Sequence, residues 1–157
     1  PQEIARNFQA LLAESPYLTR NAPRVYRFLR EYPVGVPADS TVFLYWVKED
    51  AGPKPVMTVN QVSVHRVRLA GEDCVMVASK QIYASHYFRG ALEVLFILDD
   101  REPGAGGCYA LDISRMRIDP PSGLLAGVER SKIEGQAKRT VAEELKRLTV
   151  EVAGGGP

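Results

Sequence analysis

A chain of 157 residues with 45% hydrophobic and 25% charged side chains has the size and composition of one globular domain. Its 20 basic and 19 acidic residues leave a net charge of +1 and are interspersed along the chain. That excludes a general electrostatic attraction to nucleic acid. The longest apolar run, Ala91 to Leu98, is interrupted by Glu93 and is too short to cross a bilayer as a helix, so no membrane span is expected. Two cysteines, Cys74 and Cys108, make neither a disulfide framework nor a zinc site and read as small buried strand residues. The first residues lack the basic and apolar blocks of a signal peptide, which leaves the compartment open.

In chain order, Ile4, Phe8, Leu11 and Leu12 recur at helical spacing and predict a helix from Gln2 to Glu14, stopped by Ser15-Pro16. Asn21 is placed to cap a second helix with Pro23 in its first turn, Val25, Phe28 and Leu29 as its apolar stripe, and Tyr32-Pro33 as its end. After a connector to Asp39, Thr41 to Glu49 is dense in β-branched and aromatic residues and reads as a strand closed by Ala51-Gly52-Pro53. Four more strands are expected at Val56 to Leu69, Asp73 to Phe88, Ala91 to Leu98 and Cys108 to Ile118. Turns at Ala70-Gly71-Glu72, at Arg89-Gly90 and in the glycine-rich stretch from Asp99 to Gly107 join the last four. Short links between strands imply an antiparallel meander. Beyond the loop Pro120 to Gly127, the residues Ile133, Ala137, Val141, Leu145 and Leu148 repeat at intervals of four and three. The expected fold is thus α+β, with two short amino-terminal helices and a curved antiparallel sheet of five or six strands gripping a long helix from Val128 to Val150. A single domain spans residues 1–157, with a frayed tail at 153–157.

The stretch Cys74 to Phe88 is long and apolar yet carries Lys80, Gln81, Tyr83 and His86. Buried polar groups need partners, so such a strand lines either a satisfied polar core or a ligand cavity. A tight turn at Arg89-Gly90 sets His86 against Glu93, Ala84 against Leu95 and Ile82 against Ile97, and the following turn places Leu95 near Asp112 and Glu93 near Ser114. One face then collects Lys80, Ile82, His86, Glu93, Leu95 and Asp112, with His65 on the other. Small side chains leave volume there for a hydrophobic molecule, its polar head oriented by Lys80, His86, Glu93 and Asp112 and its body by Ile82, Leu95 and Ile97. The plainer alternative is that the charged groups pair with one another or reach solvent. His86 beside Glu93 also has the composition of a general-base pair, without a nucleophile to serve. No spacing supplies metal ligands and no motif calls for a cofactor. Leu124 and Leu125, between glycines, read either as a gate that touches a membrane transiently or as a plug for one end of the core.

The string Ser79 to Phe88, SKQIYASHYF, resembles an uncharacterised family of bacterial proteins, as do Leu11 to Leu18, Phe43 to Asp50 with Lys54 to Val56, and the carboxy-terminal loop and basic helix. Where that family tends to have an Asn-Arg-Ser-Arg-x-Asp run, this chain has Ser114-Arg115-Met116-Arg117-Ile118-Asp119, so a role resting on the asparagine does not carry over. The resemblance implies the carboxy-terminal part of a longer, exported or periplasmic protein. The element order is similar to the START-like, helix-grip superfamily, whose members mostly hold lipids, sterols or other hydrophobic molecules and include some cyclases and hydrolases. The expectation is a non-enzymatic binding or carrier domain for a hydrophobic small molecule. The alternatives are an enzyme on a hydrophobic substrate using His86 and Glu93, and a structural or interaction module with a filled core.

Overall fold

A computed structural model describes residues 2–49, 55–100 and 107–119. The segment expected to form the last helix, the leucines Leu124 and Leu125, and the tail at 153–157 lie outside the described residues. Residues Pro1–Ile118 form one compact unit. It is α+β, with helices α1 (Gln2–Ala13), α2 (Pro16–Asn21) and α3 (Pro23–Glu31) ahead of strands β1 (Thr41–Glu49), β2 (Val56–Leu69), β3 (Glu72–Ala84), β4 (Phe88–Asp99) and β5 (Cys108–Ile118). The strands form one curved antiparallel sheet in the order β1-β2-β3-β4-β5, the meander that the short connections require.

The amino-terminal layer has three helices where the sequence pattern gave two. Pro16 and Pro23 each sit in the first turn of a helix, where a missing N–H costs nothing, and together they cut out α2 as a separate turn and a half. Asn21 does not cap α3. It ends α2, its Nδ2 donating to the Tyr17 carbonyl at 2.9 Å, and Ala22 takes the cap position without a side-chain bond. Ser15, fully buried between α1 and α2, donates its hydroxyl back to the Leu11 carbonyl.

One face of the sheet meets these helices. Successive side chains of a strand point to opposite faces, and in β3 and β4 every second residue is buried: Cys74, Met76, Ala78 and Lys80 in one, Gly90, Leu92, Val94 and Phe96 in the other. Phe8 and Leu12 of α1, Leu18 of α2, and Val25, Phe28 and Leu29 of α3 pack on them to make the core. Each fully buried side chain of this size stabilises the fold by about 1.5–3 kcal/mol relative to exposure.

Two local devices set this arrangement. Ala70 (φ 53°) and Gly71 (φ 91°) form a two-residue turn with both φ positive, the twist that suits an antiparallel hairpin, and Leu69 consequently pairs with Glu72. Gly90 lets α1 approach β4: a Cβ there would lie 3.3 Å from Asn7 Cβ and 3.4 Å from the Phe8 nitrogen. Asn7 Nδ2 donates to the neighbouring Arg89 carbonyl at 3.0 Å, the Arg89 guanidinium holds Glu3 at 2.9 Å and Arg117 holds Glu14 at 2.6 Å, so α1 is tied at its middle and at both ends.

Two substitutions check these devices. Ala70→Gly removes a Cβ from a left-handed position and should raise the urea midpoint by the equivalent of about 1 kcal/mol. Gly90→Val forces α1 off β4 and should lower it by about 1–3 kcal/mol.

Candidate functional site

The pairing of β3 with β4 decides which polar side chains meet. Lys80 lies opposite Leu92, Ser79 opposite Glu93, Val77 opposite Leu95 and Val75 opposite Ile97. The expected turn at Arg89-Gly90 is therefore corrected. β3 stops at Ala84, where Ser85 swings back onto β2: the Met57 N–H donates to Ser85 Oγ and the Ser85 N–H to the Met57 carbonyl, both at 2.9 Å. Tyr87 then takes φ 57°, which ends any extended run. Ser85 to Tyr87 is the connection, and β4 begins two residues earlier than its glycine suggests.

This shift divides the expected cluster between two faces. Lys80 belongs to the helix-covered face. Glu93, Leu95 and Asp112 share the opposite face, and the pairing of β4 with β5 is the expected one: Leu95 lies opposite Asp112 and Glu93 opposite Ser114. Ile82 has no partner in β2, since Tyr83 pairs with Val59 and Gln81 with Asn60, so it is the extra residue of a bulge. His86 sits exposed in the turn beside Tyr87, at 5.9 Å between ring centroids, and does not face Glu93. The general-base pair is thereby removed. His65, expected on the face away from Lys80, lies on the same face, opposite Met76.

Lys80 is 9% exposed. Its Nζ donates to the Leu29 carbonyl near the end of α3 at 2.9 Å, and lies 4.5 Å from the Phe8 ring centroid and 5.8 Å from that of Tyr32. A carbonyl at a helix carboxy terminus and two aromatic faces are attractive surroundings for a cation. None of the described carboxylates pairs with it, and burial pushes the ammonium pKa down. Its neighbour across the strands is Gln61, 0% exposed, whose Oε1 and Nε2 have no hydrogen-bond partner. Ser63 and His65 continue that row: Ser63 Oγ donates weakly to the Ala78 carbonyl at 3.4 Å, and His65 packs edge-on against Phe28 with its Nε2 unpartnered. Gln61 was not singled out from sequence. The available signal is the alternation Gln61, Ser63, His65 with Val62 and Val64, a polar row at strand period.

The opposite face mixes half-buried Val64, Val75, Val77, Leu95 and Ile97 and buried Val62 with Ser79, Glu93, Asp112 and Ser114. Burial raises the Glu93 carboxyl and the nearby Asp112 charge raises it further; burial also raises Asp112, against a backbone hydrogen bond that lowers it. Both side chains remain reachable by solvent, so screening keeps their effect on stability small. At the sheet edge, Leu44, Tyr45, Trp46, Met57 and Val59 line an open apolar groove of about 430 Å³. Among the described residues no three His, Cys, Asp or Glu side chains form a metal-binding group, and no helix is long and apolar enough to cross a membrane.

His65 supplies a pH test. Burial lowers its pKa, Asp39 raises it and Arg24 lowers it, with a net downward shift. Below about pH 6.5 the unfolded chain binds a proton that the folded chain resists, so stability falls as pH drops through that range. Thermal melts at pH 7.5 and 5.5 should show a loss on acidification that is smaller in His65→Leu than in the parent. Searches with the chain found no matching protein-family model, curated protein or solved structure.

Proposed function

We propose that this chain is a binding or carrier domain for a hydrophobic small molecule, held against the second face of the sheet. The observation that carries this reading is the make-up of that face. Its aliphatic side chains Val64, Val75, Val77, Leu95 and Ile97 surround two carboxyls, Glu93 and Asp112, that hold a proton more readily than free acids. Such groups suit a polar head without a full charge, while Leu95 and Ile97 contact the apolar body. In this helix-grip reading the sequence adds a second apolar surface, the helical stripe Ile133, Ala137, Val141, Leu145 and Leu148, and offers Leu124 and Leu125 for transient contact with a membrane surface. Lys80, Ile82 and His86 have no part in this site.

Organic extraction of the purified protein followed by mass spectrometry should release a hydrophobic molecule. In parallel, Leu145→Ala should lower stability by about 2–5 kcal/mol and Lys138→Ala hardly at all. An empty extract together with a thermally neutral Leu145→Ala sinks the proposal.

One observation favours an interaction module as the second reading. Phe43, Leu44, Tyr45 and Trp46 of β1 are all exposed, an unusual concentration of large apolar side chains on an edge strand. Size-exclusion chromatography with light scattering separates the two: a lone monomer that retains lipid favours the carrier, and a lipid-free complex favours the module.

A further inference from the structure

On the helix-covered face, the buried polar row and most of the groove's lining lie along the same side of neighbouring strands. Gln61 pairs with Lys80 on one side and Leu44 on the other, and Val59, two residues back along β2, pairs with Trp46. Alternation puts Gln61, Val59, Leu44 and Trp46 on the same face, about 7 Å of strand separating Gln61 from Val59. The enclosed ammonium and amide thus share a face with Leu44, Trp46, Met57 and Val59, which with Tyr45 at the strand edge line the apolar groove and of which Trp46 is 67% exposed.

We propose that Lys80 and Gln61 form the head-group site, and the groove the tail site, for a monocarboxylate with an apolar chain. The chemistry follows from the hydrogen-bond inventory. Lys80 has three N–H donors, one of which is spent on the Leu29 carbonyl. Gln61, its cross-strand neighbour, is fully buried with both amide atoms unpartnered. The two remaining ammonium donors and the two N–H donors of Gln61 Nε2 are left for an acceptor that the described residues do not supply. A carboxylate has two acceptor oxygens and the charge that opposes the ammonium. An amine head would meet a like charge and an alcohol would leave that charge unbalanced, so both are disfavoured. The groove volume lies within the range of small-ligand sites, and its lining offers the tail no charged contact. This site is on the opposite face from Glu93 and Asp112 and does not depend on the site proposed there.

Titration calorimetry of the full chain with octanoate, octanol and octylamine tests the assignment. Octanoate should bind at least tenfold more tightly than octanol or octylamine. Lys80→Met should weaken octanoate tenfold or more while leaving octanol unchanged, and Gln61→Leu should weaken it severalfold. Trp46→Ser should weaken octanoate but not acetate. Met fills the volume of the lysine stem and removes a buried charge without a counter-ion, so the Lys80→Met protein should fold at least as stably as the parent, which a thermal melt verifies. Glu93→Gln should leave octanoate binding intact. Equal affinity for octanoate and octanol, unchanged binding in Lys80→Met, equal loss in Glu93→Gln, or no binding of octanoate at millimolar concentration would each overturn the proposal.

Discussion

The parity of strand pairing governs everything that can be said about function in this molecule. β3 and β4 pair so that even-numbered residues of one face the helices together with even-numbered residues of the other. Met76, Ala78, Leu92, Val94 and Phe96 thereby form an apolar floor for Phe8, Leu12, Phe28 and Leu29. The same rule draws Lys80 under the helices and sends Glu93 and Asp112 to the other side. Because side chains alternate with a period of two, a slip of one residue would exchange the two sets and bury the carboxyls in the main core. The Ser85 to Tyr87 connection, held to Met57 by reciprocal hydrogen bonds, is where that exchange is prevented.

Lys80 is the point at which helical layer and sheet exchange polar contacts. Its ammonium touches elements that are distant in sequence: the Leu29 carbonyl of α3, the ring of Phe8 in α1 and the ring of Tyr32 beyond α3. Burying it without a counter-ion among the described residues costs solvation that one carbonyl and two aromatic faces offset only in part. An unpartnered amide at its side, Gln61, compounds the cost. Groups left in that condition inside an otherwise well-packed core are the reason to look for a ligand there and not on the surface ion pairs, such as Arg68 with Asp73, whose contribution water and salt reduce.

Much of the fold was legible because its signals are local. The spacing of Ile4, Phe8, Leu11 and Leu12, the β-branched runs and the Ala70-Gly71 turn specify α1, the strands and one hairpin directly. The β4 and β5 pairing, Leu95 with Asp112 and Glu93 with Ser114, also followed from counting outward from the turn. The β3 and β4 pairing did not, because Gly90 was read as a turn glycine while its actual reason is the backbone of α1, more than eighty residues away in sequence. The candidate site inherited that error: a contact between distant elements was mistaken for a local one, and Lys80 was grouped with Glu93. Gln61 escaped notice because a glutamine in a strand ordinarily faces water, and only the helices above it make it a buried one.

Gly90 has a consequence beyond packing. The missing side chain permits Asn7 and Phe8 to rest on β4, and the Phe8 ring so placed stands 4.5 Å from the Lys80 nitrogen. The distance between an aromatic face and an ammonium is thus set by a hydrogen atom on another strand. A methyl group at that position would act on the charge without touching it, by tilting the ring that screens it from water. The electrostatics of the interior are, in this respect, a property of the outer end of β4.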